Sequence, residues 1–395
     1  MSAFVFYRLP YKQEYTLVMQ NDDDPEELYS VDELNGKSGF VIAPFDATET
    51  CPILLMRPDI VKSFRLKTVE TGTKETAKVK TVETGTKETA KVETVETETV
   101  ETVSKKVSNF AKASDAEKQS CFAKASDAEK RSYVEDFEDF HDQLAEGRFD
   151  KIVLARCSRV TSKTAHEKAE DLFKKACKMY PRLFIALIST AQSGTWLMAT
   201  PEVLLSGNGC EFKTMALAGT QQAPPSDIIA DKPVEGVEWS QKDREEQQYV
   251  SDYIEDVLSE FTDHCHKKGP YTTMAAQLYH LRTDFTFRLD DTDLLGDVLD
   301  ALFPTPAICG IPKEETRQYI LANESIDRKY YSGFVGPLMP NGDTHLYVSL
   351  RCMNIHPGGK FDLYAGGGLL EESILEKEWD ETEAKMQTMK RVIGL

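Results

Sequence analysis

No uninterrupted apolar run in this 395-residue chain approaches the ~20 residues that a membrane-spanning helix needs, so no membrane partner is expected. The first residues, MSAFVFYRLPYKQEY, lack the charged start, apolar core and small-residue cleavage site of a secretion signal, and a cytoplasmic location is expected. The eight cysteines (Cys51, Cys121, Cys157, Cys177, Cys210, Cys265, Cys309, Cys352) include no CxxC pair. Neither a zinc site nor a disulfide framework is signalled, and free thiols are the expectation. Positive charge is also short: 47 Lys and Arg stand against 66 Asp and Glu, a formal net charge of -19. Nucleic-acid-binding proteins neutralise phosphates with a basic face, so no nucleic-acid partner is expected. The deficit sets a condition as well. An acidic protein that binds an anion must build a local positive site from a divalent cation and a few Lys or Arg side chains.

Apolar residues make up 41% of the chain, enough for a large core, but they are unevenly spread. KTVETGTKETAKV at 67–79 recurs unchanged at 80–92, and FAKASDAEK at 110–118 recurs unchanged at 122–130. The first pair sets only isolated Val among Thr, Glu and Lys, too little apolar surface to offset the entropy of folding, so residues 63–131 are expected to form a flexible insert. Two copies without a shared hydrophobic face also exclude a solenoid. Beyond the insert, EEQQYVSDYIEDVLSEF puts Val250, Ile254, Val257, Leu258 and Phe261 on one helical stripe, and Trp379, Met386, Met389 and Ile393 mark another. HLYVSLRC at 345–352 alternates. That pattern predicts one strand with Leu346, Val348, Leu350 and Cys352 on its core face and Tyr347, Ser349 and Arg351 on the other.

Five segments of the last third are LFPTPAICGIP at 302–312, IDRKYYSGFVG at 326–336, HLYVSLRC, LYAGGGLL at 363–370 and EKEWDETEAKM at 376–386. In order and spacing they resemble the C-terminal half of the chorismate-utilising enzymes, and among these the isochorismate synthases most. The likeness covers residues 132–395 well and 1–62 weakly, and it rests on several motifs agreeing, since each alone would be weak. It implies an α+β fold with two large, mainly antiparallel sheets packed face to face and helices outside. Residues 1–62 would be the N-terminal part of that fold and 132–395 the chorismate-binding catalytic core. Chorismate as substrate, Mg2+ as cofactor, a monomer and no glutamine amidotransferase subunit are implied too.

Site residues follow from the resemblance position by position. Lys151, opening DKIVLARCSRV, matches the family lysine that activates water, where ammonia-using relatives carry Gln. A lysine serves as a base near neutrality only where burial or a neighbouring cation favours its neutral form; taken alone, Lys151 would be a solvated strand end. Glu202, in WLMATPEVLLS, matches the Glu that protonates the departing C4 hydroxyl, a task that burial beside Leu197, Val203 and Leu204 would assist. MALAGTQ resembles the family's P-I-A-G-T-R run, with Thr220 as a substrate-binding hydroxyl, Ala218 where adduct-forming relatives place Lys, and Gln221 where Arg is usual.

Glu246, in KDREEQ, matches one Mg2+ ligand although the next family residue, His, is Gln247 here. Glu381 matches the second ligand, supported by Glu378, and Lys385 matches a substrate-contacting lysine one turn on. Without the resemblance, Glu381 and Lys385 would read as an ordinary surface pair. Arg351 matches the arginine that grips the pyruvyl carboxylate, Tyr331 a substrate-binding tyrosine, and His280 a histidine near the ring. Gly366 and Gly367 are expected to offer backbone N–H groups to a carboxylate as a nest. The reaction implied is isomerisation of chorismate to isochorismate. Salicylate synthesis, which adds pyruvate elimination, is the alternative, kept open by Phe303 where the usual residue is His; a catalytically inactive scaffold is a third reading. Whether isochorismate would serve menaquinone, a siderophore or salicylate is a property of neighbouring enzymes.

Overall fold

The computed structural model describes residues 3–22, 24–66, 78–80 (as backbone), 127–162, 168–224, 234, 236–339 and 342–395. Two antiparallel sheets dominate them. Sheet one runs from edge to edge through Gly310–Ile311, Lys151–Thr161, Lys360–Leu369, Cys352–His356, Gly194–Thr200, Phe184–Thr190, Phe4–Arg8, Glu14–Met19, Ile60–Arg65 and Lys78–Lys80. Sheet two runs through Cys265–Ala275, Leu278–Arg288, Glu211–Gln222, Val203–Asn208, Asp343–Val348, Phe334–Leu338, Gly39–Ala43, Ile53–Met56 and Glu26–Leu28. N-terminal strands thus complete both sheets.

The sheets meet through one buried cluster that takes Val5, Phe184, Ala186, Ile188 and Met198 from sheet one and Phe40, Ile42, Leu54, Val335 and Tyr347 from sheet two. At its centre Phe184 and Tyr347 stack with ring centroids 4.2 Å apart. Helices cover the outer faces: α1 (Asp127–Ala145), α2 (Ala169–Met179), α3 (Gln241–Phe261), α4 (Leu295–Leu302), α5 (Lys313–Asn323) and α6 (Leu375–Val392). Val250, Ile254 and Leu258 of α3 are buried on sheet two, whereas Val257 and Phe261 flank the contact half-buried. In α6, Met386 and Met389 enter the core of sheet one, while Trp379 packs to the side against α1. Among the described residues no helix is long and apolar enough to cross a membrane.

Three expectations need correction. HLYVSLRC is two strands: Asp343–Val348 belongs to sheet two and Cys352–His356 to sheet one. Alternation registers that both stretches have a buried face but not which sheet each joins, and the break lies at Arg351, whose φ of 46° leaves the β region. The insert boundary at 131 falls inside α1, which starts at Asp127 within the second FAKASDAEK copy. Tyr133, Phe137, Phe140 and Leu144 bury the core stripe of α1, each contributing roughly 1.5–3 kcal/mol relative to exposure; acidic Asp127 and Glu129 suit the helix's positive first turn. The boundary at 62 likewise falls inside the strand Ile60–Arg65, which pairs with Lys78–Lys80. The rest of the repeats lies outside the described residues.

Candidate active site

Two chain crossings between the sheets lie side by side at the centre of the molecule. One joins Gly194–Thr200 to Val203–Asn208 and carries Glu202; the other joins Asp343–Val348 to Cys352–His356 and carries Arg351. They are hydrogen-bonded to each other, Val348 N–H donating to Glu202 O at 3.0 Å and Ala199 N–H to Arg351 O at 3.1 Å. Side chains that leave a strand at a crossing can enter the space between layers. Here they line a cavity of about 610 Å³, open mouth included, together with Thr220, Glu246, His280, Tyr331, Gly366 and Lys385.

Opposite the crossings, Gly366–Gly368 lie in the strand Lys360–Leu369, paired with Val153–Ala155. None of the three has the left-handed φ of a backbone nest. What their missing side chains provide is room. A Cβ on Gly366 would lie 2.9 Å from the Tyr331 hydroxyl, one on Gly367 would meet Glu378 Oε2 at 3.4 Å and Glu381 Oε1 at 3.5 Å, and one on Gly368 would collide with Glu246 Oε1. Gly367 itself does not line the cavity. It lies under the two carboxylates of α6.

Each of these three carboxylates is matched by a lysine. Glu246 Oε1 lies 3.1 Å from Lys151 Nζ, Glu381 Oε1 lies 2.7 Å from Lys385 Nζ, and Glu378 pairs with Lys242. Lys151 is fully buried. Its ion pair with Glu246 is its close charged contact. Lys151, Glu378 and Glu381 do not line the cavity, although Lys151 Cε lies 2.8 Å from where a Cβ on the lining residue Gly368 would be, and Lys385, which does line it, donates to Gly366 O at 2.9 Å. Burial pushes the Glu246 carboxyl up, yet Lys151, Lys242 and Lys385 together outweigh it and hold the group below its ordinary range. Glu378 goes the other way, raised by burial and by Glu381 against the pull of Lys242.

The chemistry fits Mg2+. Carboxylates are the hard oxygen donors that Mg2+ takes, and the Lys242 ammonium feels Glu378, Glu246 and Glu381 together. Among the described residues no group of three or more His, Cys, Asp or Glu is placed so that it could hold a metal ion by itself. Water would have to complete any shell.

Glu202 is only 3% exposed and its carboxyl is pushed up to about 8, because burial outweighs the more distant positive charges of Lys151, Lys385 and Arg351. Arg351 is lowered to about 10 by burial. His280 lies well below its ordinary value, first through burial and then through Arg351 and Lys385. A neutral ring fixes its tautomer: Nδ1–H donates to Gly219 O at 2.8 Å, leaving Nε2 to accept from Arg351 Nη2 at 3.0 Å. Gly219 has a φ of 68°, and a Cβ there would press on Asp243 and Trp239. Its N–H donates to Glu246 Oε2 at 3.3 Å, so one left-handed residue aligns both groups.

Lys242 and Gln247 acquire roles that no motif assigns them. Ser240 and Asp243 form a reciprocal cap that sets the start of α3, and the i, i+4 spacing then puts Lys242 and Glu246 on one face. Gln247, at the position where the resemblance implies His, is buried. It accepts from Ala218 N–H at 2.9 Å and donates to Thr283 Oγ1 at 3.0 Å, tying α3 to the cavity strands. Phe303 and Gln221 do not line the cavity: Phe303 packs edge-on against Phe334, 5.0 Å between centroids, and Gln221 Nε2 donates to Glu238 O.

The family profile described as chorismate binding enzyme matches residues 60–394. The chain belongs to that family. It is similar to isochorismate synthase EntC of Escherichia coli (strain K12), 29% identical over 252 residues, 64% of each chain. It is similar also to isochorismate synthase DhbC of Bacillus subtilis (strain 168), 30% identical over 260 residues, 64% of this chain and 65% of that one. The chain thus spans just under two thirds of the length of these curated relatives. The solved structure of MenF, the menaquinone-specific isochorismate synthase from Escherichia coli, superposes with a TM-score of 0.70 at 21% identity, covering 100% of this chain and 89% of that one. At that identity the match establishes the fold: two antiparallel sheets with helices outside.

Proposed function

We propose that this chain isomerises chorismate to isochorismate. In this reading Lys151, in its neutral amine form, takes a proton from a water that adds to ring carbon C2, the ring double bonds shift, and the C4 hydroxyl leaves with a proton from Glu202. One water enters and one departs, so substrate and product are isomers. Arg351 offers its paired donors to the pyruvyl carboxylate, His280 and Tyr331 shape the ring pocket, and Thr220 and Lys385 add polar contacts. Mg2+ held by Glu246, Glu381 and Glu378 would supply the positive charge that offsets a substrate carboxylate. Because water is the nucleophile, neither ammonia nor an amidotransferase subunit is required, and a cytoplasmic monomer suffices.

The observation that carries the reading is Glu202: a carboxyl pushed up to about 8 by burial, in one cavity with Arg351 and Lys385, suits a proton donor at neutral pH. The test is incubation of the purified chain with chorismate and Mg2+, with products resolved by chromatography. Isochorismate alone is expected. Salicylate with stoichiometric pyruvate would replace the proposal with salicylate synthesis, and unchanged chorismate would leave the scaffold reading.

A further inference from the structure

Arg156 lies on the strand Lys151–Thr161 and is 2% exposed, yet the reaction proposed above gives it no task. Its guanidinium grips α6 at three places. The group lies 3.8 Å from the Trp379 ring centroid, Nε donates to Thr382 Oγ1 at 2.7 Å, and Nη2 donates to Glu383 Oε1 at 2.5 Å. These positions interleave with Glu378, Glu381 and Lys385 on the same helix. The remaining arm, Nη1, donates to Glu129 in the first turn of α1. Glu129 in turn accepts from Ser158 Oγ at 3.2 Å. Beside it, Lys130 Nζ stands 5.7 Å from the Trp379 ring centroid, and Tyr133 meets that ring edge-on at 5.3 Å. Glu129 and Lys130 are the last two residues of the second FAKASDAEK copy.

We propose that Arg156, Glu129 and Lys130 form a clasp that positions α6, so that the end of the repeat segment sets the placement of Glu378, Glu381 and Lys385 in the site. A buried guanidinium satisfied on all sides has one low-energy orientation. Removing Glu129 leaves one arm of the fork unpaired and frees Arg156 to draw Trp379 and Glu383 away. This part of the inference rests on the site being the chorismate site; the clasp itself does not.

The test uses the full chain carrying Glu129→Ala, beside two deletions bridged by Gly/Ser: one of residues 81–126, which keeps the clasp, and one of 81–130, which removes it. Hydrogen exchange of α6 amides is read together with the Mg2+ and chorismate concentrations for half-maximal turnover. Glu129→Ala and the longer deletion are expected to speed α6 exchange and to raise half-saturation about three- to tenfold, the scale of coupling through packed neighbours. Turnover at saturation should change little, and the shorter deletion should behave as the wild type. Unchanged α6 exchange in Glu129→Ala would overturn the clasp, and faster exchange with unchanged half-saturation would overturn its role in the site. If the wild-type chain does not turn over chorismate, the proposed function fails, while the exchange result still decides the clasp.

Discussion

Glu202 and Glu246 line the same cavity and are pushed in opposite directions. Glu202 is raised to about 8, whereas Glu246 is held below its ordinary range. Burial opposes ionisation in both, and contact separates them. Glu246 has Lys151 at 3.1 Å with Lys242 and Lys385 close by; Lys151 and Lys385 act on Glu202 only from farther away, and desolvation prevails. One pocket thereby holds a carboxylic acid at one end and a carboxylate at the other, the separation that acid–base chemistry on a single substrate needs. The molecule's net charge of -19 makes the arrangement more instructive. Within the site, positive charge is delivered by three lysines to three glutamates.

The largest effect is expected from removing the Lys151 amine. Lys151→Ala should lower turnover ~100- to 10,000-fold, the range for loss of a general base, with chorismate binding still measurable by calorimetry. A variant keeping more than a tenth of wild-type turnover would remove Lys151 from the mechanism.

Glu202→Gln attacks the other end and should lower turnover by roughly 100-fold or more, since the amide cannot donate the departing group's proton. It carries a stability signature too. A carboxyl whose folded value is raised binds its proton more tightly in the folded chain, so its contribution to stability is present at low pH and declines as pH rises from the ordinary carboxylate range toward about 8. Thermal melts of the wild type should lose stability across that window relative to Glu202→Gln. Parallel melting curves would show that the raised value is absent.

A smaller effect is expected at the carboxylate end. Glu246→Gln and Glu381→Gln should each raise the Mg2+ needed for half-maximal rate, and the double variant should add little to the worse single one, because both act through one ion. A Mg2+ titration at saturating chorismate is the measurement. Unchanged dependence in Glu381→Gln would move that ligand's role to Glu378.

The candidates on both sides of this contrast come from local motifs, and the structure brings Glu202, Glu246 and Arg351 to one cavity, whereas Glu381 does not line it. The two-sheet fold follows from the resemblance, and periodicity supplies the stripes of α3 and α6. What the sequence hides is whatever depends on non-local pairing. Alternation across Val348 and Cys352 cannot reveal a change of sheet, since Arg351 takes its left-handed turn without glycine. The triple glycine reads as a nest of donors, yet its use is to admit side chains from α3, α6 and Tyr331. Helix α1 already includes Asp127 and Glu129, which composition assigns to the insert, and Glu129 pairs with Arg156; repeat composition says nothing of a distant buried guanidinium.

The most direct test of the central claim is a titration of the glutamate carboxyl carbons by 13C NMR in the wild-type chain, with Glu202 assigned by its disappearance in Glu202→Gln. Half-protonation of Glu202 near pH 8, with Glu246 still ionised below the ordinary carboxylate range, is the predicted result. Glu202 titrating together with the surface glutamates would contradict the account.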